Sequence, residues 1–394
     1  MNNAPLKLGM VGGGQGAFIG GVHRMAARLD GQWTLVAGAL SSDPERAAAS
    51  AQELGLDPAR SYASWQEMAR REAARPDGID AVAIVTPNHL HAPVTTAFLE
   101  VGIDVICDKP LATSLADARA LQALAQRRER LLCLTHSYSG YPMVRQARAL
   151  VEAGELGALR LIQVEYAQDW LAEPVEQQGQ KQASWRCDPA LAGPAGALGD
   201  IGTHAYHLAS FVSGLRAEAV CAELSSLVAG RQLDDHVQAM LRFPGGVRGM
   251  LWASQVATGC ENALRLRVYG SRASLEFAQE RPNELIVTSL GGAGQRLTRG
   301  RAGTAAQAQA ATRIPAGHPE GYLEAFAQLY REAAEHIRAR REGRLPAEGS
   351  RWLTTGADGV AGLAFVEAVL TSHRAGSAWT PLQQGQQQSG GEAA

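Results

Sequence analysis

Three side chains, one of them some ninety residues before the other two, have the chemistry to accept a proton and to stabilise the oxyanion left behind. Lys109 follows the apolar run Val105-Ile106-Cys107 and then Asp108, so it stands at the carboxyl end of a short buried strand. In an open parallel sheet that is the edge where ligands bind. Asp200 and His204, in Gly199-Asp200-Ile201-Gly202-Thr203-His204, are four residues apart and share a face if a helix begins near Asp200. An imidazole titrates near neutral pH and suits a proton acceptor, and a lysine ammonium suits a developing negative charge. Taken alone, Asp200 has an equally simple reading as the N-cap of that helix.

The elements that must position these groups fall into two blocks. Residues 6–11 read as a strand opening into Gly12-Gly13-Gly14-Gln15-Gly16-Ala17 and then a helix. Strand, glycine turn and helix form the context of the dinucleotide fingerprint, here in the register Gly12-x-Gly14-x-x-Ala17, with Gly16, Gly20 and Gly21 permitting a longer loop. A second strand, 34–40, ends in Ser41-Ser42-Asp43-Pro44-Glu45-Arg46. NAD-binding chains usually place an acid at this tip for the ribose hydroxyl; serines with Arg46 one turn on suit a 2′-phosphate, so NADP is favoured, and Asp43 keeps NAD open. The strand 79–85 ends in Thr86-Pro87-Asn88-His89-Leu90-His91. Alternating strands and helices over residues 1–135 predict a doubly wound parallel sheet.

From residue 136 the texture changes to strand-rich alternation with tight turns such as Pro244-Gly245-Gly246. A second, α+β domain over 136–375 is expected, with an antiparallel or mixed sheet of roughly seven or more strands. Residues 290–312 read as a long mobile loop and 376–394 as a flexible tail. With 394 residues, 46% of them hydrophobic, the chain is long enough for two cores. A net charge of −2 and basic runs confined to helical patterns speak against nucleic acid and anionic membranes as partners. The five scattered cysteines lack a C-x-x-C pair, no metal-ligand cluster is spaced for binding, and no secretory or membrane-spanning stretch is readable, so a cytoplasmic protein is expected.

The ordered set of a glycine-rich first turn, Thr86-Pro87-Asn88-His89-Leu90-His91, Asp108-Lys109-Pro110 and Asp200-x-Gly202-x-His204 resembles the glucose–fructose oxidoreductase/inositol dehydrogenase/rhizopine catabolism (Gfo/Idh/MocA) family. The family's usual third signature is Glu-Lys-Pro, so Asp108 is a departure that keeps the charge. The resemblance implies an N-terminal Rossmann domain and a C-terminal α+β domain with a large, mostly antiparallel sheet. It further implies an oxidoreductase that moves a hydride between NADP or NAD and a hydroxyl carbon of a sugar, sugar derivative or inositol-like polyol, with a homodimer or homotetramer expected. Lys109, Asp200 and His204 would be catalytic, and the Lys109–Pro110 bond cis. Gly12, Gly14, Ala17, Ser41, Ser42, Arg46, Thr86, Pro87, Asn88, His91, Asp108 and Lys109 would face the cofactor. Lys109, Trp185, Arg186, His207 and His318 are candidates for substrate contacts; His207 stands where relatives often carry an aspartate and is open to a second reading as a helix-surface histidine. Tyr138 and Tyr141 either edge the pocket or pack. The same fold also serves enzymes that cleave glycosidic bonds by transient oxidation, and cofactor-sensing regulators.

Overall fold

In the computed structural model, residues 4–383 are described. The first block alternates β1 (Leu6–Gly12), α1 (Phe18–Leu29), β2 (Trp33–Ala39), α2 (Pro44–Glu53) and α3 (Trp65–Ala74). It continues through β3 (Ala81–Val85), α4 (His91–Glu100), β4 (Asp104–Cys107), α5 (Leu115–Arg127) and β5 (Leu132–Leu134). Local chemistry sets the helix starts. Asp43 caps α2, accepting from Arg46 N at 3.0 Å ahead of Pro44, and Ser64 and Ser114 cap α3 and α5 in the same way. The five strands form a parallel sheet in the order β2-β1-β3-β4-β5. All five residues of β3 are buried, as a central strand covered on both faces requires.

The second block begins with α6 (Pro142–Glu152), β6 (Leu159–Ala167), α7 (Lys181–Arg186) and α8 (Pro189–Ala192), and then α9 (Thr203–Ser213). Strands β7 (Ala219–Ser225), β8 (His236–Arg242), β9 (Arg248–Ser254), β10 (Ala263–Gly270), β11 (Ala273–Ala278), β12 (Glu284–Ser289) and β13 (Gly294–Thr298) follow. The chain closes with α10 (Ala306–Ala310), α11 (Tyr322–Arg341), α12 (Gly356–Arg374) and β14 (Thr380–Pro381). The nine-stranded sheet runs β13-β12-β11-β10-β6-β9-β8-β7-β14; its β6–β9 pair is parallel and the other pairs are antiparallel. One face is buried against α6, α9 and α12, and the alternation of β8 leaves the other face open.

Two helices of the second block return to the first. Phe326, Leu329 and Tyr330 of α11 share a core with Val22 and Ala26 of α1 and Leu8 and Met10 of β1, while Leu363 and Ala364 of α12 pack into the core beside α5. A boundary at residue 135 therefore separates the strands but not the helices. The Arg145–Glu332 pair, with both side chains fully buried, ties α6 to α11.

Two expectations of mobility need correction. Within 290–312, β13 extends the sheet and α10 packs on α6, because buried Arg299 binds Glu320 (2.8 Å) and the carbonyl of Ile314 (2.7 Å). In the tail, Thr380 pairs with Val220 and the Arg242 guanidinium lies 3.9 Å from the Trp379 ring centroid. Positions 384–394 of that tail lie outside the described residues. Among the described residues no helix is long and apolar enough to cross a membrane, and no group of three or more His, Cys, Asp or Glu is placed to hold a metal.

Candidate active site

The lysine turn is held rigidly before its side chain meets anything. Asp108 Oδ1 accepts from Lys109 N (2.9 Å) and from Thr135 Oγ1 (2.9 Å), fixing the turn after β4 to the end of β5. The Lys109–Pro110 peptide is cis. Beneath it lies His91, almost fully buried, with Nδ1 2.6 Å from the Pro110 carbonyl and Nε2 2.9 Å from the Thr86 carbonyl. Both partners are acceptors, and a neutral imidazole has one donor, so both contacts are hydrogen bonds only when the ring carries two protons. Burial lowers the proton affinity of His91, while the two carbonyls and Asp108 oppose that. The expected cofactor contact at His91 is thus replaced by a brace between the ends of β3 and β4.

Lys109 Nζ donates to Asp200 Oδ1 at 2.6 Å and to the Asp200 carbonyl at 2.7 Å. Asp200 is not an N-cap. It lies within a π-helical turn, Leu198–Gly202, that runs directly into α9, and its own N–H donates to the Gly196 carbonyl at 2.9 Å. Such turns recur at functional sites because they re-aim one residue without ending the helix. The approach to the turn is anchored by Asp234, whose carboxylate accepts from Gly196 N and Leu198 N, both at 2.7 Å. Gly196 is obligatory here, since a Cβ would sit 2.1 Å from the Asp234 carbonyl oxygen.

The second carboxylate oxygen of Asp200 accepts from Gln255 Nε2 at 2.9 Å and lies 3.4 Å from Arg186 Nε. Burial works to raise the Asp200 pKa, but Lys109 and Arg186 outweigh it and hold the carboxyl below the usual range. His204 is buried, its Nδ1 has no hydrogen-bond partner among the described residues, and its pKa is pushed well below 6.5, first by burial and then by Lys109 and His136. At neutral pH it is an uncharged base.

Lys109, Asp200 and His204 line one cavity of about 350 Å³, with Asp108, Tyr138, Tyr166, Gln168, Trp170 and Arg186 in its walls. Tyr138 and Tyr166 share a short hydroxyl–hydroxyl hydrogen bond, and Asn262 Oδ1 accepts from Tyr166 (2.6 Å) and Gln168 (2.8 Å). Tyr138 edges the pocket as one of its two readings had it, whereas Tyr141 points away to Gln279. Of the residues expected to contact substrate, Lys109 and Arg186 line this cavity. Trp185 lies under the Arg186 guanidinium at 4.2 Å and faces a smaller neighbouring cavity. His207 points behind the site, and His318 is exposed on a loop outside the cavity. Tyr166, Gln168 and Trp170 escaped the sequence reading. Their signal was the position of Tyr166-Ala167-Gln168-Asp169-Trp170 at the carboxyl end of β6, where polar and aromatic residues displace the apolar alternation.

The glycine turn supplies a second cavity of about 360 Å³, lined by Gly14, Gln15, Gly16, Ala17, Arg24 and Glu53 among others. Gly12 and Gly13 have φ of 79° and 73°, and a Cβ on Gly14 would meet the Leu40 carbonyl oxygen at 2.7 Å. The close helix approach expected of Ala17 belongs instead to Gly20, where a Cβ would lie 2.4 Å from Gly13 Cα. Ala17 caps α1 with no side-chain hydrogen bond, leaving first-turn N–H groups facing the turn. Thr86 Oγ1, near Gly12, is buried with no hydrogen-bond partner among the described residues. A side-chain-free cradle, open helix N–H groups and an orphaned hydroxyl fit a nicotinamide dinucleotide, whose pyrophosphate Gly14 to Ala17 would hold. Ser42 and Arg46 at the β2 tip are exposed. Asn88 donates to the Ala192 carbonyl at 3.1 Å, bridging the two blocks rather than facing the turn. Phe18 lines both cavities, so they adjoin.

With this geometry in place, known proteins provide context. The oxidoreductase family with an NAD-binding Rossmann fold matches residues 6–136, and the GFO/IDH/MocA C-terminal domain matches 144–276. An oxidoreductase structure from Sinorhizobium meliloti shares 50% identity and a TM-score of 0.86, covering 95% of this chain and 99% of that one. An inositol dehydrogenase homolog from Azotobacter vinelandii, solved with NAD+, shares 38% identity and a TM-score of 0.91, covering 96% and 97%; a structure of an inositol dehydrogenase homolog from the same organism contains NADH and myo-inositol. Levoglucosan dehydrogenase of Pseudarthrobacter phenanthrenivorans is 31% identical over 312 residues, 72% of this chain and 76% of that protein.

Proposed function

This chain belongs to the GFO/IDH/MocA oxidoreductase family, and from that premise we propose that it oxidises a hydroxyl carbon of a neutral sugar, anhydro-sugar or cyclic polyol. The observation that carries the reading is the convergence of Lys109, Asp200 and His204 on one cavity that adjoins the glycine turn. The nicotinamide, when bound, supplies the hydride acceptor. The protein's own groups do the rest. His204, neutral and buried, takes the hydroxyl proton; Lys109 stabilises the developing alkoxide; Asp200 positions Lys109. Hydroxyl groups remote from the reacting carbon meet Gln168 and the Tyr138–Tyr166 pair, and Trp170 offers a ring face.

A neutral substrate is favoured over a sugar acid because both cations in the cavity are already spent on Asp200. Relatives named for myo-inositol and levoglucosan support the same class. Both cofactor forms are proposed as usable: the relatives' complexes contain NAD+ or NADH, and exposed Arg46 beside Ser41 and Ser42 suits the 2′-phosphate of NADP. Exposed Leu161, Met240 and Met250 on the open face of the large sheet support self-association as a homodimer or homotetramer, and five unpaired thiols suit the cytoplasm. The test is a screen of inositols, hexoses and anhydro-sugars with NAD+ and NADP+, following reduced-nicotinamide absorbance. Reduction with at least one neutral polyol is expected; turnover confined to sugar acids, or no turnover at all, overturns the proposal.

A further inference from the structure

A separate cavity, of about 230 Å³, lies behind His204, between α6, α9 and the segment 351–358. Three arginines line it, Arg148, Arg216 and Arg351, against one carboxylate in its lining, Asp358. Arg216 gives one hydrogen bond, to Asp358 Oδ1 at 2.9 Å, out of the five a guanidinium can donate. Arg148 and Arg351 share Glu152, at 3.0 and 2.5 Å, and Arg351 also lies 2.9 Å from Glu348, outside the cavity lining. Arg148 is also held in place by the Phe211 and Trp352 rings, 4.6 and 4.7 Å from its guanidinium carbon. The cavity lining thus presents three guanidinium groups and one carboxylate, with Glu152 and Glu348 pairing from outside it.

The wall of this cavity contains an unspent polar group. His207 is buried, and its Nε2 has no hydrogen-bond partner among the described residues. Buried ring nitrogens are normally satisfied. Neither the arginines nor Ser210, Thr354 and Asp358 of the same wall hydrogen-bond it. An anion answers both needs at once, accepting from the guanidinium groups and from an imidazole N–H.

We propose that this cavity is a ligand site for a small anion bearing a carboxylate or phosphate group, bound by Arg148, Arg216, Arg351 and His207. The site is distinct from the reaction cavity, yet only one ring separates them. His207 stacks on His136 with centroids 4.0 Å apart and planes within 5°, and His136 meets His204 edge-on at 5.4 Å. An occupant therefore rests against the layer that backs the catalytic base.

The experiment is thermal unfolding of the full-length protein, saturated with NAD+ so that the glycine turn does not compete, titrated with inorganic phosphate or malonate against sodium chloride at equal ionic strength. A saturable rise in Tm of roughly 3 °C at a hundredfold excess over Kd is expected with at least one anion. Response to phosphate alone assigns a phosphate ester, and response to malonate alone assigns a carboxylate. The rise must disappear in Arg216→Gln and in the half-exposed Arg351→Gln, and persist in Arg186→Gln, which alters the reaction cavity. If Arg216→Gln does not fold, Arg351→Gln carries the test. No rise above chloride, or a rise that survives in Arg351→Gln, overturns the proposal.

Discussion

His204 and His207 are the same residue type, three positions apart on α9, and both are buried. Both also border His136, yet they face different cavities. His204 shares its space with Lys109 and Asp200, and His207 shares its space with Arg148 and Arg216. Neither spacing nor burial separates their roles. The difference comes from what other elements bring to each face: the ends of β4 and β6 on one side, α6 and the segment before α12 on the other.

The sharpest way to break that contrast is substitution in pairs. His204→Ala and Lys109→Ala are each expected to lower kcat by at least ~10²-fold with NAD+ affinity retained, on general-base and electrostatic grounds. His207→Ala should leave kcat within about threefold of wild type, since a general-base loss would be ~10²-fold. Steady-state kinetics with isothermal titration of NAD+ check this; equal losses at 204 and 207 would erase the distinction.

Acid sensitivity comes next in size. His204, His207 and His136 all have folded pKa values pushed well below 6.5 by burial, and burial holds His23 at about 4. Below pH 6.5 the unfolded chain binds protons that the folded chain does not. The stability is therefore complete above about pH 6.5 and declines as pH falls towards the folded values, by roughly 3 kcal/mol for His23 alone. Asp200, with its pKa held low, adds a loss only below its ordinary carboxylate range, near pH 4. Denaturant midpoints at pH 8, 6 and 4.5 measure this. His207→Phe should flatten the decline without moving the pH–rate profile, whose acid limb should lie below pH 6.5 if His204 is the base we propose, since it is neutral above that range.

At the cofactor end the same question of neighbours recurs, with the smallest expected effect. Asp43 caps α2, while Arg46 is exposed. Arg46→Ala should weaken NADP+ about tenfold, the scale of one charge-assisted hydrogen bond, and leave NAD+ within about twofold. Equal weakening of both would remove Arg46 from the 2′-phosphate site.

The two ends of the active site were unequally readable. The glycine turn is made of backbone shape, so its residues announce themselves: positive φ at Gly12 and Gly13 and the Gly13–Gly20 approach need the absence of a Cβ. Even there the packing role passed from Ala17 to Gly20, because the loop before α1 is longer than the short register allows. The substrate end is made of side chains. Asp200 taken alone could be read as an N-cap, since aspartate before a helix often is one, and only the motif order marked it for the site; the π turn and the arrival of Lys109, 91 residues away, direct its carboxylate. His91 sits in the right motif for a cofactor contact, but two carbonyls engage its ring nitrogens.

Sequence by itself determined the features that follow from local backbone physics: alternating strands and helices, the glycine turn, the buried strand that delivers Lys109, and the order of the motifs. Tertiary structure alone decided which face of α9 meets which partners, that α11 crosses back to cover the first sheet, and that Tyr166, Gln168 and Trp170 wall the reaction cavity. The physical reason is range. Backbone conformation is set by residues a few positions apart, whereas the direction and charge environment of a side chain are set by whatever distant elements the packing of two sheets brings against it.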